Sequence, residues 1–88
     1  MTSLREIAGV LARMRDPELI QDFLICMLTK RELEELAGRW ELVKLLDKGM
    51  SQRKIAEKLG MSLCKITRGS KELKKANSAL KKVLDDCL

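Results

Sequence analysis

The sequence has no histidine, a single proline and two aromatic residues in 88, Phe23 and Trp40. Without imidazole, His-based general-base catalysis and every His-built metal site are excluded. With so few aromatics, a core must come from Leu, Ile, Val, Met and Ala, which favours packed helices. Cysteine is scarce and odd in number: Cys26, Cys64 and Cys87 are far apart and form no CxxC pair. Neither a zinc knuckle nor a dithiol redox motif is therefore supported, and no metal site is expected. Cys26 lies in an aliphatic run and reads as a buried free thiol. Long apolar runs are missing too. The longest uncharged stretch, Phe23 to Thr29, covers seven residues, where a membrane span needs about 20. No charged segment followed by an apolar one and a cleavage site opens the sequence, so a reduced, cytoplasmic protein away from membranes is expected. Disorder is excluded by composition, since 35% charged residues are matched by 45% apolar ones. The length suits one domain with a thin core.

A net charge of +5 conceals an asymmetry. The first 44 residues carry seven basic and eight acidic side chains, and the last 44 carry eleven and five. From Lys48 to Lys75 there are nine basic residues against Glu57 and Glu72. Such a segment is either a solvated Lys-rich face or a surface for a polyanion, and the asymmetry raises the second reading.

Apolar spacing predicts six helices and no sheet, an all-α fold. Residues 3–14 place Leu4, Ile7, Ala8, Leu11 and Met14 at helical intervals. Asp16-Pro17-Glu18 is a stop and restart, with Asp16 as cap and Pro17 at the first helical position. Leu19, Ile20, Phe23, Leu24 and Met27 then form a broad apolar face. Thr29 to Glu32 matches a capping box. It opens a third helix, Lys30 to about Asp47, which Gly49 ends. Ser51 caps Gln52 to Leu59, Gly60 terminates that helix, Ser62 caps Leu63 to about Lys75, and Asn77 opens a last helix. The first three helices are apolar over faces too wide for them to cover one another. They imply either a loose core or a second copy of the chain. The expected organisation is one domain, 1–88, with dimerisation helices over 1–48, a reading head over 51–75 and a C-terminal helix over 77–88.

Gln52 to Gly69 has the spacing of a helix-turn-helix. Ile55 and Leu59 face inward, Ala56 allows close approach, Gly60 makes the turn and Ile66 anchors the second helix. In such motifs the second helix enters the major groove N-terminal end first. That end offers Ser62, Cys64, Lys65 and Thr67, while Arg53 and Lys54 sit where the preceding helix meets phosphate. Gly69 departs from the pattern, because glycine within a helix costs about 1 kcal/mol relative to Ala. Either the helix frays there or something comes close to its backbone. Arg68 precedes it, and Arg39 interrupts the apolar positions of the third helix. By themselves, both arginines read as partners for surface carboxylates.

Met27-Leu28-Thr29, Gly38-Arg39, Gly49-Met50-Ser51-Gln52-Arg53 and Ile66-Thr67-Arg68-Gly69-Ser70 together resemble the tryptophan-operon repressor family. The resemblance runs from about Leu24 to Lys75 and continues more weakly into the last helix. It implies an intertwined, all-helical homodimer that binds double-stranded operator DNA when L-tryptophan is bound, with no catalysis and no cofactor beyond that corepressor. By position, Arg39 and Arg68 resemble the guanidinium groups that sandwich the indole ring, and cation–π stacking suits Arg to both faces. Arg68 and Thr29 would also meet the amino acid's carboxylate. The carbonyls of Cys26 and Leu28 would accept from its ammonium group, and Gly69 would leave room for the ring. The DNA-contacting set implied is Gln52, Arg53, Ser62, Leu63, Cys64, Lys65 and Thr67.

Ser62 and Lys65 replace a Gly and a Thr common in the family, Cys64 replaces Ala, and Glu72 stands where Ser is frequent near the ligand's amino group. Glu72 could pair with that ammonium or repel the ligand's acid. Trp40 reads as core or interface rather than ligand-site wall. The resemblance implies a tryptophan-dependent transcriptional repressor. Two alternatives stand beside it: a helix-turn-helix regulator indifferent to tryptophan, and a basic helical module that docks on an acidic protein. The joint presence of Thr29, Arg39, Arg68 and Gly69 argues against the first. No catalytic constellation supports an enzyme, since the cysteines lack an adjacent base.

Overall fold

A computed structural model describes residues 2–88. The described residues form six helices and no strand: α1 (Thr2–Arg13), α2 (Pro17–Met27), α3 (Lys30–Asp47), α4 (Gln52–Leu59), α5 (Leu63–Lys74) and α6 (Ala79–Cys87). The chain divides into two compact units, Met1–Glu34 and Glu35–Leu88, with the boundary inside α3.

In the first unit, local chemistry sets the helix ends. Asp16 accepts a hydrogen bond from the Glu18 N–H at 3.0 Å, and Pro17 follows in the first turn. Proline is tolerated there because that N–H has no intrahelical acceptor. At the start of α3, the Glu32 N–H donates to Thr29 Oγ1 at 3.1 Å and the Thr29 N–H donates to Glu32 Oε1 at 2.8 Å. The capping box is thus closed in both directions. The first helix ends one residue earlier than its apolar spacing suggests, with the Met14 N–H bonded to the Leu11 carbonyl at 3.2 Å.

Neither α1 nor α2 has a buried residue. Leu4, Val10, Leu19, Ile25 and Met27 are all exposed, Leu4 to 61%. Cys26 is exposed as well, which corrects the expectation of a buried thiol. The reason is geometric: two helices of 12 and 11 residues offer too little surface to enclose an aliphatic run from all sides.

The second unit has a core. Leu42, Leu45, Ile55 and Ile66 cluster there, with Leu46, Met50, Ala56, Leu59 and Met61 packed around them. Ile55 and Ile66 are fully buried, each contributing about 1.5–3 kcal/mol by removal from water. Gly49 ends α3 with φ +88°. The Gly49 N–H donates to the Leu46 carbonyl at 3.0 Å and the Met50 N–H to the Leu45 carbonyl at 3.1 Å, the paired bonds of a Schellman turn. That turn delivers the chain to Ser51, whose Oγ accepts from the Lys54 N–H at 3.2 Å and starts α4. The last helix begins two residues later than Asn77. Ser78, not Asn77, is its cap, because the Ser78 Oγ reaches the Lys81 N–H at 3.2 Å. Lys81 then bridges Asp47 at 2.8 Å and Asp85 at 3.3 Å, joining α6 to the end of α3.

Candidate nucleic-acid interface and ligand-side residues

α4 and α5 pack together through Ile55 and Ile66, and Gly60 between them adopts the left-handed conformation at φ +64°. Residues with a Cβ resist that conformation by about 1–2 kcal/mol. The turn is short because Ser62 caps α5 immediately, its Oγ accepting from the Lys65 N–H at 3.4 Å. This is helix-turn-helix geometry. Burying Ile66 rotates its neighbours outward, so Ser62, Leu63, Cys64, Lys65 and Thr67 are all exposed at the start of α5. Leu63 is 54% exposed, an apolar side chain left half in water. Arg53 is exposed and Gln52 half-buried at the start of α4. Thr67 Oγ1 donates to Gln52 Oε1 at 3.0 Å, so the two ends of the motif meet in one polar contact. The seven residues expected to face DNA therefore occupy two adjoining helix starts.

Arg39 on α3 and Arg68 on α5 are both exposed, and neither makes an ion pair among the described residues. The reading of these arginines as carboxylate partners is thus unsupported. A Cβ on Gly69 would lie 3.1 Å from Leu42 Cδ2 and 3.6 Å from Leu46 Cδ1. The close neighbour at Gly69 is therefore α3. Arg39 lies one helical turn before Leu42, and Arg68 is next to Gly69. A single helix contact thus carries both arginines within about a turn of it. Gly38 has a parallel role: a Cβ there would lie 2.9 Å from the terminal methyl of Met61 in the turn of the motif. Thr29 accepts at its hydroxyl oxygen from the Glu32 N–H, which fixes its side chain at the start of α3. Cys26 is in the last turn of α2, where carbonyls lack intrahelical donors, and Leu28 follows as the cap.

A model of the family described as Trp repressor protein matches residues 2–88. The chain belongs to the Trp repressor family. It is similar to a Trp operon repressor homolog of Chlamydia caviae, 39% identical over 74 residues that cover 83% of this chain and 73% of the relative. The homolog of Chlamydia trachomatis serovar L2 is 35% identical over 74 residues, covering 83% and 79%. That of Xylella fastidiosa (strain M23) is 46% identical over 55 residues, covering 61% and 60%. No solved structure was found to match.

Against that family background, Glu72 stands out by its engagement. Lys75 Nζ donates to Glu72 Oε1 at 2.9 Å, and this bond, with the nearby lysine charge and more weakly Arg68, holds the carboxyl below the usual carboxylate range. Glu72 is thus a paired anion beside Arg68. Two surface hollows in the second unit, one at Leu45, Lys48, Gly49, Met50, Ser51 and Lys54 and one around Lys75 to Asp86, include neither Arg39 nor Arg68. Sequence reasoning missed Leu42 and Met61, the partners of Gly69 and Gly38. The signal was two helical glycines facing leucine- and methionine-bearing segments. It also missed the bond between Gln52 and Thr67, which no spacing rule reveals.

Proposed function

We propose that this protein is a tryptophan-dependent transcriptional repressor that binds operator DNA as a homodimer. The observation that carries the reading is the α4–Gly60–α5 motif, with its exposed, basic recognition end, in a chain of the Trp repressor family. Lys48 to Lys75 supplies the positive field that draws a polyanion and adds salt-dependent affinity through counterion release. Lys65, Leu63, Cys64 and Ser62 face the base edges, while Arg53 and Gln52 approach the backbone, with Thr67 bonded to Gln52 between the two sets. The names of the chlamydial relatives support the same assignment.

L-Tryptophan is the effector in this reading. Arg39 and Arg68 take the two faces of the indole, and their freedom from carboxylate partners supports that role. Thr29 and Arg68 receive the carboxylate, the carbonyls of Cys26 and Leu28 receive the ammonium, and Gly69 lies along the ring. Glu72, already paired with Lys75, adds negative charge near the ammonium rather than a free ligand. Tryptophan acts by population shift, favouring the arrangement in which two recognition helices lie about 34 Å apart, one turn of DNA. The exposed apolar faces of α1 and α2 support dimerisation, since a second copy would remove them from water.

Calorimetric titration with L-tryptophan tests the effector directly. Saturable heat at one site per chain is expected. No heat, with DNA binding retained, would assign the chain to the tryptophan-indifferent regulators.

A further inference from the structure

Gln52 and Thr67 are fifteen residues apart, yet their side chains meet at 3.0 Å, with the Thr67 hydroxyl donating to Gln52 Oε1. A threonine hydroxyl has one hydrogen, and this bond occupies it. Thr67 therefore has nothing left to donate to a phosphate oxygen, which itself can only accept. Gln52 is in the complementary position. With its amide oxygen held toward α5, both Nε2 hydrogens remain to donate, and Nε2 makes no hydrogen bond among the described residues.

We infer that Thr67 is a positioning residue: its hydroxyl orients the Gln52 amide so that Nε2 donates to a DNA phosphate. The inference rests on the DNA-binding reading above and divides labour between two residues that the family resemblance treats alike. A long glutamine free to rotate loses conformational entropy when it docks. The bond from Thr67 removes part of that loss beforehand. It also spans α4 and α5, so the angle between the two helices and the aim of the donor are set together. Because a phosphate oxygen is the acceptor, the contribution is independent of base sequence.

The test is a double-mutant cycle on the full-length protein with saturating L-tryptophan. The probes are a duplex selected by the wild type from a randomised pool and a second duplex of unrelated sequence. Thr67→Val keeps the shape and removes the hydroxyl. It should weaken binding to both duplexes about two- to tenfold, the scale of one hydrogen bond. Thr67→Ser should restore affinity to within about twofold, because only the hydroxyl is needed. In a Gln52→Ala background, Thr67→Val should change nothing further. In the free protein, ¹⁵N relaxation of Gln52 Nε2 should show greater mobility in Thr67→Val. An additive loss in the Gln52→Ala background would make Thr67 a direct DNA contact and overturn the inference. A loss confined to the selected duplex would overturn the phosphate assignment. A wild type that binds neither duplex overturns the DNA reading itself, and this inference with it.

Discussion

At the scale of single residues, some cations of the second unit are held in ion pairs, and Arg39 and Arg68 are among those that are not. Lys44 pairs with Glu41 at 2.7 Å, Lys75 with Glu72 at 2.9 Å and Lys81 with Asp47 at 2.8 Å. Arg39 and Arg68 pair with no carboxylate among the described residues, which leaves their planar guanidinium faces open to an aromatic ring. Arg68→Ala should abolish the tryptophan-induced gain in DNA affinity while leaving helical content intact, as checked by fluorescence anisotropy with and without L-tryptophan alongside circular dichroism. Lys65→Thr should change the ranking of duplex variants by affinity, because Lys65 is exposed at the reading end of α5. A uniform loss over all variants would instead mark it as a phosphate contact. Residue types were legible in the sequence at this scale, and pairings were not. A hydrogen bond over fifteen residues depends on how two helices cross, which local spacing does not encode.

At the scale of elements, the helix ends follow from local rules, and their strength can be measured. Gly60 holds φ +64° with its N–H donating to the Ala56 carbonyl at 2.9 Å. Gly60→Ala should lower stability by about 1–2 kcal/mol through the left-handed strain, read from urea denaturation. The capping box at α3 carries a pH dependence. The Thr29 N–H and hydroxyl hold the Glu32 carboxyl below its ordinary value of 4.5. A carboxylate with a lowered folded pKa contributes stability that is complete above the unfolded value and is lost as pH falls through the folded one. Stability should therefore decline below about pH 4.5. Glu32→Gln, which keeps an acceptor for the Thr29 N–H but does not titrate, should show a smaller decline between pH 7 and pH 3 in the same denaturation assay. The caps at Asp16, Thr29, Ser51 and Ser62 were legible because each depends on two or three consecutive residues. The cap of α6 was displaced from Asn77 to Ser78, since both residue types cap well and only the actual bond to Lys81 chooses between them.

At the scale of the whole molecule, the distribution of burial sets the expectation for assembly. The fully enclosed side chains, Ile55 and Ile66, belong to the second unit, whereas α1 and α2 bury nothing. Leu4, Leu19, Ile25 and Met27 are each at least half exposed. Apolar surface of that extent on a small chain is what a partner would cover, and under the proposed function that partner is a second copy. Light scattering at micromolar concentration should give twice the chain mass of 10.0 kDa. A monomeric mass would contradict the dimer. Trp40, half-buried on α3, offers a fluorescence signal for the same equilibrium.

What the sequence determined by itself was local or compositional. Apolar periodicity specified six helices, caps and two glycines specified most of their ends, and the concentration of Lys and Arg after Lys48 specified a basic second half. These depend on residues within a turn of one another or on counts, so no three-dimensional contact is needed to read them. The tertiary structure decided the rest. It placed Leu42 against Gly69 and Met61 against Gly38, exposed Cys26 and joined Thr67 to Gln52. Each of these is fixed by how helices pack or by which of several reachable partners a side chain meets, and neither is written in the spacing of residues along one helix.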